Sequence, residues 1–269
     1  MLFAYRAHPD YALVLGANRD ESFIRPTAAA AFWPDHPQIL AGRDLEQQGT
    51  WLGITRNGRL AGITNYRQAQ AYREDAPSRG LLVSAFLTGR VEAPDYLAAI
   101  RINGDQYNGF NLIAGDATGL YYYSNRIERV QSVAAGIHGL SNHLLDTPWP
   151  KVEQGKNALQ HLLEERRRER LIDGLFAALA SRTIPADDGL PDTGVGLARE
   201  RVLSPAFITA PAYGTRSSTV LLIGNNGHVT FIERSFAPLG VPTGVAGHDF
   251  DLEQIAVDKS EAFGSKSSG

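Results

Sequence analysis

Apolar positions begin at once. Leu2, Phe3, Ala4 and Tyr5 form a first short run and residues 11–17 a second, with Pro9 and Asp10 between them. Two apolar runs joined by a Pro/Asp turn predict a β-hairpin. Residues 22–48 are rich in Pro, Ala and Asp and read as mostly loop with short extended pieces. Residues 51–55 and 59–65 flank Asn57 and Gly58, a pair that supplies the positive φ angles of a type I′ hairpin turn. Two helices are predicted over 79–87 and 93–102, with Pro94 suited to the first turn of the second. Four short strands follow, over 109–115, 119–124, 130–134 and 136–140. Thr147 and Pro148 then read as the cap and first position of a helix. Leu159, Leu162 and Leu163, and later Leu171, Ile172, Leu175, Phe176 and Leu179, recur at helical spacing. The charged run between them, 164–170, mixes signs and reads as a solvated helix face or a break rather than a nucleic-acid site. Residues 184–196 read as a loop. Strands over 217–223 and 228–233 close the pattern around the turn residues Asn225, Asn226 and Gly227. Blocks of strands alternating with blocks of helices predict a layered α+β fold, not a doubly wound parallel sheet.

Composition narrows the function classes. The chain has 269 residues, with 26 Lys and Arg against 29 Asp and Glu, a net charge of −3. That balance argues against a strongly basic nucleic-acid binder and a polybasic membrane anchor. With no Cys, the sequence as given has no disulfide, thiolate nucleophile, Cys-ligated metal or covalently attached c-type haem. The longest apolar stretches, such as 81–87 and 220–223, are far too short to span a bilayer. No signal peptide is evident, so a cytoplasmic protein is the expectation.

The chemistry-bearing positions gather at predicted strand ends. Asn18, Arg19, Asp20 and Glu21 end the second apolar run. Thr64, Asn65, Tyr66 and Arg67 end the Asn-Gly hairpin, Ser141 and Asn142 follow another strand, and Tyr213, Gly214, Thr215 and Arg216 open one. If these strands are neighbours, their amide and guanidinium donors converge on one cleft suited to a carbonyl oxygen, carboxylate or phosphate. Asp20, flanked by Arg19 and within reach of Arg216, is expected to stay ionised and to orient an arginine. Tyr121, Tyr122 and Tyr123 read as core and interface packing, because strand alternation turns Tyr122 away from its neighbours. His138 and His143 lack the carboxylate spacing of a structural metal site, and no metal site is expected.

The same motifs carry a resemblance. Asn18, Arg19, Asp20 and Glu21 after an apolar strand resemble the signature of the NRDE family, the transport and Golgi organisation protein 2 homologues. So do Arg25-Pro26, Phe32-Trp33, Gly49-Thr50-Trp51-Leu52-Gly53-Ile54, Thr64-Asn65-Tyr66, Tyr107-Asn108-Gly109-Phe110-Asn111-Leu112, Gly139-Leu140-Ser141-Asn142, Thr147-Pro148-Trp149, Tyr213-Gly214-Thr215-Arg216 and the later Glu233-Arg234-Ser235. The matches run in order over residues 2–235. The resemblance implies one domain over 1–258 with an N-terminal-nucleophile hydrolase-like fold, a four-layer αββα sandwich; the Ser, Gly and Lys tail of 259–269 is expected to be disordered or non-native. It also implies a relict catalytic site. Distant relatives, the choloylglycine and penicillin V acylases, use a Cys directly after the initiator Met, with its own α-amine as base. Their supporting groups correspond by position to Arg19, Asp20, Asn142 and Arg216, with Asn65 as a further donor.

Here position 2 is Leu and the first hydroxyl residue is Ser22, so the sequence as written supplies no such nucleophile. A Met-Cys start a few residues upstream is the alternative that would make it a choloylglycine-type amide hydrolase. The resemblance further implies haem handling, or lipid or acyl-CoA metabolism. The expectation is therefore a non-catalytic protein that binds haem reversibly, or another small amphipathic anion such as an acyl-CoA. Its ligand-binding candidates are Asn18, Arg19, Asp20, Glu21, Asn65, Asn142, Arg216, His8 and His143. Axial ligation of haem iron would fall to His8, His138, His143, His228 or Tyr213, and its propionates to Arg19 or Arg216.

Overall fold

A computed structural model describes residues 1–127 and 129–253. The expected tail, and the last residues of the expected domain, lie outside the described residues. Alternation on the strands explains the layering. Strand β1 (Leu2–Tyr5) and strand β2 (Tyr11–Ser22) pair antiparallel, and successive side chains go to opposite faces. Phe3, Leu13, Leu15 and Ala17 enter one buried cluster; Leu2, Ala4 and Val14 enter another.

The order along the chain continues with β3 (Thr27–Phe32), β4 (Ile39–Asp44), β5 (Leu52–Thr55), β6 (Leu60–Asn65), α1 (Gly80–Thr88), α2 (Ala93–Asn103), β7 (Phe110–Asp116), β8 (Gly119–Ser124), β9 (Arg129–Ser132) and β10 (Gly136–Gly139). Helices α3 (Pro150–Leu162), α4 (Arg168–Leu179) and α5 (Leu197–Leu203) precede strands β11 (Tyr213–Gly224), β12 (His228–Ala237) and β13 (Val241–Asp251). Two antiparallel sheets result. One has six strands in the order β10-β1-β2-β11-β12-β13, the other seven in the order β3 to β9. Three cores separate four layers. Leu40, Leu52, Ile113, Tyr122, Leu221 and Phe231 pack between the sheets. Helices α1 and α2 cover the outer face of the seven-stranded sheet through Val83, Phe86 and Leu97. Helices α3 and α4 cover the six-stranded sheet through Leu159, Leu171 and Leu175. This is the αββα sandwich that the resemblance implies, and it agrees with the layered α+β fold read from the strand and helix blocks.

Several local expectations are corrected. The short extended pieces expected within residues 22–48 are two paired six-residue strands, β3 and β4, whose Ala and Gly content hides their extent from propensity reasoning. Small residues are needed there. A Cβ on Gly42 would meet the Trp51 ring at 2.3 Å. The Asn57-Gly58 turn is not type I′. Only Gly58 has positive φ, +84°, and the Thr55 hydroxyl and carbonyl close the turn onto Arg59 and Gly58. Helix α3 starts at Pro150 behind Trp149, two residues later than read, because the Thr147 hydroxyl is engaged with His143 instead of capping. The short helix α5 and the exposed edge strand β13 carry no strong periodicity and were not expected. Tyr122 and Tyr123 enter different cores, as alternation requires. Among the described residues no helix is long and apolar enough to cross a membrane.

Candidate functional site

One end of the sandwich is hollow. A cavity of about 690 Å³ opens where β1, β2, β6, the segment after β10, and the N-termini of α1 and α3 meet. Its wall includes Asn18, Arg19, Asp20, Glu21, Asn65, Asn142, Arg79, Lys151 and Tyr213, with Leu2, Trp51, Leu140 and Val152 as apolar surface. A second cavity of about 330 Å³ lies beside it and shares Arg19 and Trp51.

The Asn18–Glu21 tetrapeptide is divided by strand alternation. Asn18 faces the helical layer, where its amide donates to the carbonyls of Leu179 (2.9 Å) and Ala206 (2.7 Å) and accepts from the Ser218 hydroxyl. Both amide protons and the amide oxygen are thus engaged in bracing the layer. Asp20 lies on the same face and accepts from the Thr215 hydroxyl at 2.6 Å. Burial pushes its carboxyl above the usual carboxylate range, opposed by that hydrogen bond and by the charges of Lys151, the α-amino group and Arg67. The charges that favour its ionised form thus come from Lys151, the α-amino group and Arg67, and not from the expected partner Arg19. Arg19 points to the inter-sheet side, donates to the Thr27 hydroxyl at 3.1 Å and stacks on Trp51 with its guanidinium 4.2 Å from the ring centroid. Glu21 stands 4.0 Å from Arg19.

Asn65 and Asn142 meet across the cavity wall. The Asn142 amide donates to the Asn65 carbonyl at 3.1 Å and accepts from Arg67 at 3.1 Å. Arg67 in turn makes a buried ion pair with Glu200 on α5 at 2.8 Å, and Glu200 also accepts from the Thr193 backbone and hydroxyl. Asn142 is held in place by this network.

Arg216 is absent from the large cavity. The β2–β11 register slips between Thr215 and Ser217, so Arg216 is the bulged residue. Its guanidinium donates to the carbonyls of Ser22 and Arg25 and lines the second cavity. Nor do the two preferred histidines reach the cavity wall. His8 is buried in the β1–β2 turn, where its ring accepts from the Asp10 backbone and meets the Glu165 carbonyl. His143 bonds the Tyr66 hydroxyl at 2.7 Å and the Thr147 hydroxyl at 2.8 Å, and burial lowers its pKa. His138 pairs with Asp146 and His228 with Asp251. Of the five candidate iron ligands only Tyr213 lines the cavity, and burial raises its phenol pKa, which opposes the tyrosinate that iron ligation needs.

Two cavity residues escaped the sequence reading. Lys151 follows Pro150 in the first turn of α3; its ammonium donates to the Leu203 carbonyl at 2.9 Å, and burial lowers its pKa to about 8. Arg79, before α1, donates to the Gly109 carbonyl at 3.0 Å. A signal for Lys151 existed: Lys occurs at only four positions, 151, 156, 259 and 266, among 26 Lys and Arg. The α-amino group of Met1 donates to the Leu140 carbonyl at 3.0 Å, and burial lowers its pKa to about 5. Among the described residues no group of three or more His, Cys, Asp or Glu is placed to hold a metal ion.

Comparison with known proteins gives the sequence context of this cavity. The family described as Transport and Golgi organisation 2 matches residues 1–238. The bovine Transport and Golgi organization protein 2 homolog is 42% identical over 241 residues, covering 84% of this chain and 87% of the relative. The human homolog is 42% identical over 243 residues with the same coverage. The Drosophila Transport and Golgi organization protein 2 is 28% identical over 256 residues, covering 85% and 88%.

Proposed function

The chain belongs to the Transport and Golgi organisation 2 family, and from that premise we propose that it binds an amphipathic anion, haem or an acyl-CoA, reversibly in the large cavity. The observation that carries this reading is the cavity wall: Arg19 and Arg79 stand beside Trp51, Leu52 and Ile63 in a volume of about 690 Å³. That volume lies within the size range of small-molecule sites, about 300–1,000 Å³. Arginine stays charged at any working pH and its planar fork suits a carboxylate or phosphate. Apolar surface takes the body of the ligand; the guanidinium groups take its charged end. Haem would sit here without a fixed axial histidine, since His8 and His143 lie elsewhere and have both ring nitrogens engaged.

The test is titration of the protein with haem and, separately, with an acyl-CoA and a neutral amphiphile of matching chain length. Saturable binding of either anion, in competition with the other and not with the neutral compound, is the expected result. Binding of the neutral amphiphile with equal affinity would overturn the role of the arginines. Saturable binding of acyl-CoA alone would remove haem and leave the general reading.

A second reading, a choloylglycine-type amide hydrolase, has one observation in its favour. The start of β1 opens into the same cavity as Asp20, Asn65 and Asn142. The residues at the start of β1 in this sequence supply neither the thiol nor the hydroxyl that such a hydrolase uses, since position 2 is Leu and no Cys is present. Turnover of an acylated amino acid, surviving repurification and abolished by Asp20→Asn, would favour that reading over the carrier.

A further inference from the structure

Lys151 differs in chemistry from the other side-chain cations at the cavity. These are arginines, which cannot release a proton in a protein. Arg25 pairs with Asp44 at 2.6 Å, and Arg19 stands 4.0 Å from Glu21. Lys151 has no carboxylate within ion-pairing distance among the described residues; its one hydrogen-bond partner is the Leu203 carbonyl, which leaves two of its three protons uncommitted. The groups whose charges act on it come from other elements: Asp20 on β2, Arg67 after β6, Glu200 on α5 and the α-amino group at the start of β1. The position of Lys151 on the first turn of a helix behind Pro150 fixes its backbone, and its side chain lines the cavity.

We propose that Lys151 is a carbonyl-reactive amine, and that the cavity captures an aldehyde by forming a reversible imine with its Nζ. The chemistry requires a neutral amine, and a desolvated lysine is the usual way proteins obtain one. The Nζ lone pair attacks the carbonyl carbon and the carbonyl π pair moves to oxygen. The proton lost from nitrogen is taken up by oxygen, with Asp20 as the nearby carboxyl able to carry it. The resulting carbinolamine loses its hydroxyl, protonated, as water, and a C=N bond joins ligand to Lys151. Aldehyde plus amine gives imine plus water, with no oxidant or reductant consumed. Hydrolysis reverses it, which suits capture and release. This activity shares the cavity with anion binding and does not depend on it.

Reductive trapping tests the proposal. The full chain is incubated near neutral pH with butanal and cyanoborohydride, and butylated peptides are quantified by mass spectrometry. The four lysines and the α-amino group are distinguishable by sequence. The expected result is labelling of Lys151 at least about tenfold above Lys156, which is tied to Asp146 at 3.2 Å. The Lys151→Arg variant should keep a cation and the Leu203 contact, remain folded by circular dichroism, and lose only that adduct. Labelling that spares Lys151, or that concentrates on the α-amino group, would overturn the proposal. Haem or acyl-CoA titration reads the anion site separately, so failure of one does not mimic failure of the other.

Discussion

Two partly buried polar clusters share one end of the sandwich and are built on opposite principles. In the first, Arg67 and Glu200 meet at 2.8 Å, Asn142 and Thr193 each add a further hydrogen bond to the pair, and Trp149 lies beneath the guanidinium at 5.3 Å. In the second, Lys151 and Asp20 feel each other's charge but make no ion pair, and each leans on a neutral partner, the Leu203 carbonyl or the Thr215 hydroxyl. A satisfied network resists change because removing one member strands another. An incompletely satisfied pair keeps protons and lone pairs available to a ligand. The first cluster therefore reads as the frame of the cavity and the second as its working surface.

The largest effect that could break this comparison is in the frame. Glu200→Ala leaves Arg67 buried without its carboxylate, and losing one partner of a buried pair costs about 3–5 kcal/mol. In a chain of this size that corresponds to a fall in Tm on the order of 10 °C, read by calorimetry. A fall of a degree or two would mean that the frame is not held by this pair. Asn18→Ala should come next. It strands the carbonyls of Leu179 and Ala206 and the Ser218 hydroxyl, at about 2–3 kcal/mol in urea unfolding. An unchanged midpoint would return Asn18 to the list of ligand-binding candidates.

That contrast also separates what the sequence made legible from what it hid. The layering followed from alternation: Phe3 against Ala4, and Tyr122 against Tyr123, already divide the inner core from the outer ones. The neighbourhood of Asn18, Asp20, Asn65 and Asn142 followed from strand ends that share an edge of the sandwich. The direction of individual side chains did not. Arg19 is adjacent in sequence to Asp20 but lies on the opposite face, and a one-residue bulge removes Arg216 from the cavity. A bulge leaves no mark in local composition. The histidines misled for another reason: His8 and His143 are polar groups inside turns, where backbone carbonyls and hydroxyls already use their ring nitrogens.

A pH experiment sharpens the second cluster. The pKa of Lys151 is lowered from 10.5 to about 8. A basic group with a depressed folded-state pKa adds stability that is complete above the unfolded pKa and is lost as pH falls through the folded one. The wild type should therefore gain stability between about pH 8 and pH 10.5 relative to Lys151→Met. The gain is about 2 kcal/mol after allowing for the side chain's cavity-facing portion. Asp20 contributes with the opposite slope. Its pKa is raised above 3.8, so its contribution is present below that value and is lost as pH rises through the folded pKa. Parallel stability curves for wild type and Lys151→Met over the alkaline window would show that Lys151 is solvated like a surface lysine.

The smallest effect on the fold, and the most direct on the ligand, belongs to Arg79. Among the described residues its guanidinium has no carboxylate within ion-pairing distance, and its one hydrogen bond goes to the Gly109 carbonyl at 3.0 Å. Burial lowers its pKa, yet arginine remains charged throughout the working range. It is thus a cation on the cavity wall with donors to spare. Arg79→Ala should leave Tm within a few degrees, because a single backbone hydrogen bond contributes about 1 kcal/mol. It should weaken an acyl-CoA about tenfold, the equivalent of about 1.4 kcal/mol for one charge-assisted contact, and leave a neutral amphiphile of equal chain length unaffected. Arg216→Ala is the matched comparison, since Arg216 lines the second cavity and its guanidinium is committed to Ser22 and Arg25. If Arg216→Ala weakens the anion and Arg79→Ala does not, the charged end of the ligand lies in the smaller cavity behind Trp51. The large cavity would then hold only its apolar body.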